Sequence, residues 1–203
     1  MSFISIVYLH LFAGSALTLA SSQLEVSVSP YYLIAASIVS FVLLFVLIYM
    51  KAGPMKYVVA ALYCALLGQT MGPFFDKLQH KDLVQPVLIS VCGIFGAMTV
   101  AGFLDNQNIL GFGGYLFAAL IGLIVARVGA LFLFDSKETL SSAHNIFSII
   151  GTGLFSVFVA YDTQRLKEDA QQNKKHPDYI MATMGLYLDL LNLVTNVGTL
   201  MDN

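Results

Sequence analysis

Seven runs of mostly apolar residues divide this chain, at 3–20, 30–50, 56–75, 83–104, 109–134, 144–164 and 179–201. About twenty such residues cross the hydrocarbon core of a bilayer as a helix. Backbone in lipid must satisfy its own N–H and C=O groups, which restricts spanning segments to helices or closed barrels. Runs of this length fit helices. The expected fold is therefore an all-α integral membrane protein, a single transmembrane bundle over residues 1–203 with short connections. Composition agrees, at 58% hydrophobic and 11% charged, where a soluble domain carries about 25% charged residues. The net charge of −2 gives no reason to expect nucleic acid as a partner. The expected surroundings are lipid.

The first run ends in Thr18-Leu19-Ala20-Ser21, which could pass for a signal-peptidase site. No Lys or Arg precedes it, and it exceeds the usual signal-peptide core, so a retained helix is expected. His10, on that helix, reads as a polar contact inside the bundle. Cys64 and Cys92 lie in apolar runs without a CxxC spacing and read as two buried structural thiols. Gly68 and Gly72, then Gly93, Gly96 and Ala97, Gly111, Gly113 and Gly114, and Gly151 and Gly153 are spaced for close helix packing. Pro73 and Pro86 are placed near span ends, where a lost backbone donor is easiest to tolerate.

Loop cations set the orientation. Lys51, Lys56, Arg165, Lys167, Lys174 and Lys175 fall on the side of the N-terminus, against Lys77, Lys81 and Lys137 opposite. That bias puts the N-terminus in the cytosol.

Nothing in the chain matches a nucleophile elbow, a zinc-protease helix or a phosphate loop, and no enzyme activity or tightly bound cofactor is expected. The informative residues are acids at hydrocarbon depth. Asp162 lies in the sixth run and Asp189 in the seventh, and an intramembrane carboxylate normally faces protein or water and marks function. If the hairpin turns near Lys174–Pro177, each acid stands about 16 Å from it, so both could lie at one level. Two acids at close range cannot both ionise cheaply and tend to share one proton. Protonated, they tie two helices together; deprotonated, they repel and admit water or a cation. With Asn192 and backbone carbonyls they also offer hard oxygen ligands of the kind that suit Ca²⁺. The plainer alternative is that Asp162 caps or snorkels and asparagines satisfy Asp189. The seventh run, which adds Asn192 and Asn196, is expected inside the bundle, enclosed by the other six. Lys51 is a possible latch for the acids or a snorkelling lysine. Asp76 is a candidate for a pore mouth or a helix cap at the end of the third span. Arg127 is expected to snorkel or to pair with an acid such as Asp135, ahead of a role in selectivity.

Val159-Ala160-Tyr161-Asp162-Thr163-Gln164 followed by Gly185-Leu186-Tyr187-Leu188-Asp189-Leu190-Leu191-Asn192-Leu193 resembles the signature hairpin of the transmembrane Bax inhibitor motif family. Gly68-Gln69-Thr70-Met71-Gly72-Pro73 and the seven-span layout extend the likeness. The resemblance implies a seven-helix bundle with the last helix enclosed by six, and a pH-sensitive calcium leak. It places that leak in the endoplasmic reticulum or another endomembrane, or in the plasma membrane of a bacterium. In eukaryotes it also implies protection from cell death, with other membrane proteins of cell-death control as partners. By the same resemblance, Asp162 and Asp189 are the proton-sensing pair and Lys51 stands where a basic latch is found. A lysine there presents a point charge instead of a bidentate fork. Asp76 matches an acid that follows the Gly-Pro. The lysine-rich C-terminal tail of animal members and a sizeable N-terminal extension are not matched. A non-conducting regulator that binds other membrane proteins is the alternative reading.

Overall fold

A computed structural model describes residues 2–24, 29–104, 109–134, 136–172 and 178–202, with backbone alone at residue 137. Seven long helices follow one another: α1 (Phe3–Ser22), α2 (Pro30–Tyr49), α3 (Pro54–His80), α4 (Val84–Leu104), α5 (Gly113–Leu133), α6 (Lys137–Gln171) and α7 (Tyr179–Asp202). A single 3-10 turn, Ile109–Phe112, leads into α5. Each of the seven spans is long and apolar enough to cross a membrane, and no strand occurs among the described residues.

Capping residues explain several helix starts. The Ser2 side chain accepts the Ser5 N–H at 3.2 Å to open α1. Ser29 does the same for Tyr32 ahead of Pro30 at the start of α2. Asp178 caps α7, its carboxylate accepting the Met181 N–H at 3.0 Å. Two helices outrun their apolar stretches. α3 continues through Pro73 to His80, so Pro73 is interior and not at a span end. The ring removes one backbone bond, but Gly72, Phe75 and Leu78 are buried around it and hold the helix together. Asp76 is consequently an exposed residue within α3, its carbonyl bonded to His80 Nδ1 at 2.7 Å.

The helices divide into two compact units, Met1–His80 with Asp169–Tyr187, and Lys81–Glu168 with Leu188–Asn203. In the first, α1 and α3 approach closely at Gly68, where a Cβ would strike the Ser21 hydroxyl and the Thr18 carbonyl. Thr18 is the polar hub of this unit. Its hydroxyl donates to the carbonyls of Gly14 (3.0 Å) and Cys64 (3.1 Å) and meets the Tyr187 hydroxyl at 2.6 Å. Tyr187 is 1% exposed and packs edge-on against Tyr63. Hydrogen bonds between membrane helices contribute about 0.6 kcal/mol on average. Tyr187→Phe should therefore lower stability by only about 0.5–1.5 kcal/mol, read as a small midpoint shift in mixed-micelle unfolding. A loss beyond that would mean the hydroxyl holds more than Thr18. His10 bonds the Ile6 carbonyl at 2.7 Å and lies against the rings of Tyr57 and Tyr179, beside an apolar cavity of about 140 Å³.

In the second unit, α6 supplies the packing surface. Gly102 of α4 sits against Ala160 and Thr163, Gly113 of α5 against the Tyr161 ring, and Gly151 of α6 against the Asn196 amide. Gly93, Gly96 and Gly153 face open space, so the small-residue pattern marks tight contacts at some positions and not at others. Cys64 is buried but Cys92 is exposed, which corrects the expectation of two buried thiols. The exposed faces of α2 and α5 are strongly apolar, with Phe41, Ile38, Phe117, Phe132 and Leu133 all outward. Buried side chains of α7 include Thr183, Asp189 and Asn196. Polar groups inside and hydrocarbon outside is the arrangement a lipid solvent favours, and the chain is an integral multi-pass membrane protein.

Candidate functional site

Asp189 lies ten residues into α7 and Asp162 nine residues before the end of α6. Asp189 is 5% exposed, and its Oδ2 has no hydrogen-bond partner among the described residues. The Thr163 hydroxyl, next to Asp162 in α6, is likewise buried and without a hydrogen-bond partner among the described residues. Asp162 is half-buried and within electrostatic range of Asp189; Arg165, nearly one turn along α6, acts on Asp162 in turn. The expected hairpin turn at Lys174–Pro177 lies outside the described residues, so the helix register must come from elsewhere. The Gly151–Asn196 contact supplies it. At about 1.5 Å per residue, carrying that contact along two antiparallel helices staggers Asp162 and Asp189 by about four residues, roughly 6 Å at Cα.

The other expected participants are placed as follows. The Asn192 amide donates to the Leu188 carbonyl at 2.8 Å, a bond within its own helix. Among the described residues no group of three His, Cys, Asp or Glu gathers to hold a metal ion, so oxygen ligands for Ca²⁺ would be the two acids with amide and backbone oxygens. Lys51 is exposed in the connection after α2.

Two cations behave differently from expectation. Lys56, counted from the sequence as a loop charge, is 1% exposed in the first turn of α3. Its ammonium pairs with Asp178 at 2.6 Å and donates to the Met50 carbonyl at 3.0 Å. The same aspartate thus caps α7 and neutralises a buried lysine. A sequence signal existed only for the cap, an acid just ahead of a helical run. Arg127 turns inward, donating to the Phe147 carbonyl at 3.2 Å and to Asn196 Oδ1. Its expected acidic partner, Asp135, lies outside the described residues. In the sequence, the neutral amide that receives it, Asn196, stands out only as a polar residue of the seventh run.

Comparison with known proteins establishes the family. The sequence model of the family described as "Inhibitor of apoptosis-promoting Bax1" matches residues 1–203. The chain belongs to the Bax inhibitor family. Among its relatives are the inner membrane protein YbhL of Escherichia coli, 33% identical over 65% of this chain and 56% of that protein. Bax inhibitor 1 of Schizosaccharomyces pombe is 29% identical over 85% of this chain and 62% of its own length. An uncharacterized membrane protein of Streptococcus pyogenes is 26% identical over 95% of this chain and 81% of its own. Matches to YbhL and the yeast protein thus span somewhat more than half the length of each. Within the Bax inhibitor family this chain carries its two intramembrane acids on α6 and α7 and a buried lysine at the start of α3.

Proposed function

We propose that the protein is a pH-sensitive calcium leak, gated by Asp162 and Asp189. The observation that carries this reading is the buried Asp189 carboxylate, with one oxygen unpartnered among the described residues, in a membrane-crossing helix and within electrostatic range of a second acid. Burying an unpaired carboxylate is costly unless it is neutralised by a proton or a cation. With a proton shared between the acids, a hydrogen bond draws α6 and α7 together and the path is closed. Loss of that proton leaves two like charges that repel, admit water and accept a divalent cation in the proton's place. The sign follows: flux rises with pH through the titration of the pair and falls on acidification. Asn192 adds an amide oxygen to the path and Asp76 gathers cations at its mouth. Lys51, exposed after α2, would serve as a latch that competes with the cation for the acids. On this reading the N-terminus is cytosolic, in the endoplasmic reticulum or another endomembrane, or in the plasma membrane of a bacterium.

The family description, an inhibitor of apoptosis-promoting Bax1, favours a second reading, in which the same helices bind membrane proteins of cell-death control and conduct nothing. Reconstitution separates the two. Liposomes holding the purified protein and loaded with Ca²⁺ should lose it severalfold faster than protein-free liposomes. Equal rates at every pH would leave the non-conducting regulator.

A further inference from the structure

Arg127 places a permanent positive charge within a membrane-crossing helix. Its two recorded acceptors are neutral, the Phe147 carbonyl on α6 and the Asn196 amide oxygen on α7. Its Nε is buried without a hydrogen-bond partner, and no carboxylate pairs with it among the described residues. The seat is built, not incidental. Asn196 is 1% exposed, and its amide fills the notch left by the missing side chain of Gly151. The amide NH₂ donates to the Asn192 carbonyl at 2.6 Å, which fixes Oδ1 towards the guanidinium. A cation this well held, with no carboxylate on it among the described residues, is unusual, because an intramembrane charge normally pairs with its opposite.

Asn196 follows Asp189 by seven residues on α7, two turns, so both project from one face about 10 Å apart along the axis. On the leak reading, a cation moving to Asp189 along that face would pass the field of Arg127. We infer that Arg127 sets the valence selectivity of the leak, holding back divalent cations more than monovalent ones. This inference rests on the leak reading above. The physical reason is that Coulomb repulsion is linear in the charge of the permeating ion, so its Boltzmann factor for Ca²⁺ is the square of that for K⁺. Fixed charges along a pore act as such barriers elsewhere. Asp162 and Asp189 attract the ion; Arg127 limits how fast a doubly charged one moves on.

The test is paired Ca²⁺ and K⁺ flux from proteoliposomes of wild type, Arg127→Gln, Arg127→Lys and Asn196→Asp. Removing the charge should raise Ca²⁺ flux roughly tenfold and K⁺ flux roughly threefold, so the Ca²⁺ to K⁺ ratio rises about threefold. Arg127→Lys keeps the charge and should keep the wild-type ratio. Asn196→Asp is nearly isosteric and neutralises the guanidinium in place, so the ratio should move as in Arg127→Gln; this variant decides the matter if Arg127→Gln does not fold. A ratio unchanged in both charge-removing variants, or shifted equally by Arg127→Lys, overturns this inference and leaves the leak standing. Absence of Ca²⁺ and K⁺ flux from every protein overturns the leak, and the selectivity role with it.

Discussion

Replacing Asp178 with asparagine should lower the stability of the protein by about 2–3 kcal/mol, the largest effect expected of any single charge removal. The substitution keeps a good helix cap, since asparagine and aspartate serve about equally at that position. What it removes is the partner of Lys56, whose side chain is 1% exposed. A buried ammonium left with the Met50 carbonyl as its recorded acceptor has lost most of what offset its desolvation. Breaking a fully buried pair costs about 3–5 kcal/mol; the Asp178 side chain is 32% exposed, so solvent screening brings the figure down. The double variant Lys56→Met, Asp178→Asn should recover most of the loss, because an apolar side chain of similar length suits the site the ammonium occupied. Reversible unfolding in mixed micelles measures both. A double variant no more stable than Asp178→Asn would show that Lys56 contributes something other than its charge.

The second large effect is expected at Gly68. A methyl group there would occupy the space of the Ser21 hydroxyl and the Thr18 carbonyl. A hydroxyl can rotate away, but a helix carbonyl cannot, so α1 and α3 must separate along their contact. Overpacking of this kind costs about 1–3 kcal/mol, and separation also strains the Thr18 bonds to Cys64 and Tyr187. Gly68→Ala should therefore lose about 3 kcal/mol. Gly93→Ala is the control. A Cβ at Gly93 meets nothing within 4 Å, and alanine is the better helix former by up to about 1 kcal/mol, so that variant should be neutral or slightly stabilised. Equal losses at the two positions would mean that helix contact is not what distinguishes them.

These two sites show where sequence reading succeeds and where it stops. Helix number follows from hydropathy because lipid leaves an apolar stretch of this length few alternatives. Helix ends follow less well. Polar residues after Phe75 and before His144 give no reason in themselves to extend α3 to His80 or to begin α6 at Lys137. Asp162 and Asp189 are legible because a carboxylate at hydrocarbon depth stands out from its neighbours. Lys56 is not, because a lysine at a span boundary looks like any loop charge until its distant partner Asp178 is placed beside it. Arg127 is missed for a related reason: a neutral amide carries no charge signal, so nothing in the chain pairs it with Asn196. Glycine spacing identifies candidates for close approach, but Gly68 and Gly93 differ only in what faces them. The Asp162–Asp189 stagger likewise depends on a contact eleven residues along α6, at Gly151.

On the proposed reading, the carboxylate of Asp189, acting with Asp162, exchanges a proton for a permeating cation. Calcium efflux from proteoliposomes, recorded from acid to mildly alkaline pH for wild type and Asp189→Asn side by side, tests it most directly. Wild-type efflux should climb with pH in a single sigmoid, whereas the asparagine variant, having no proton to release at that position, should be slow and nearly flat. Overlapping curves for the two proteins would contradict the account.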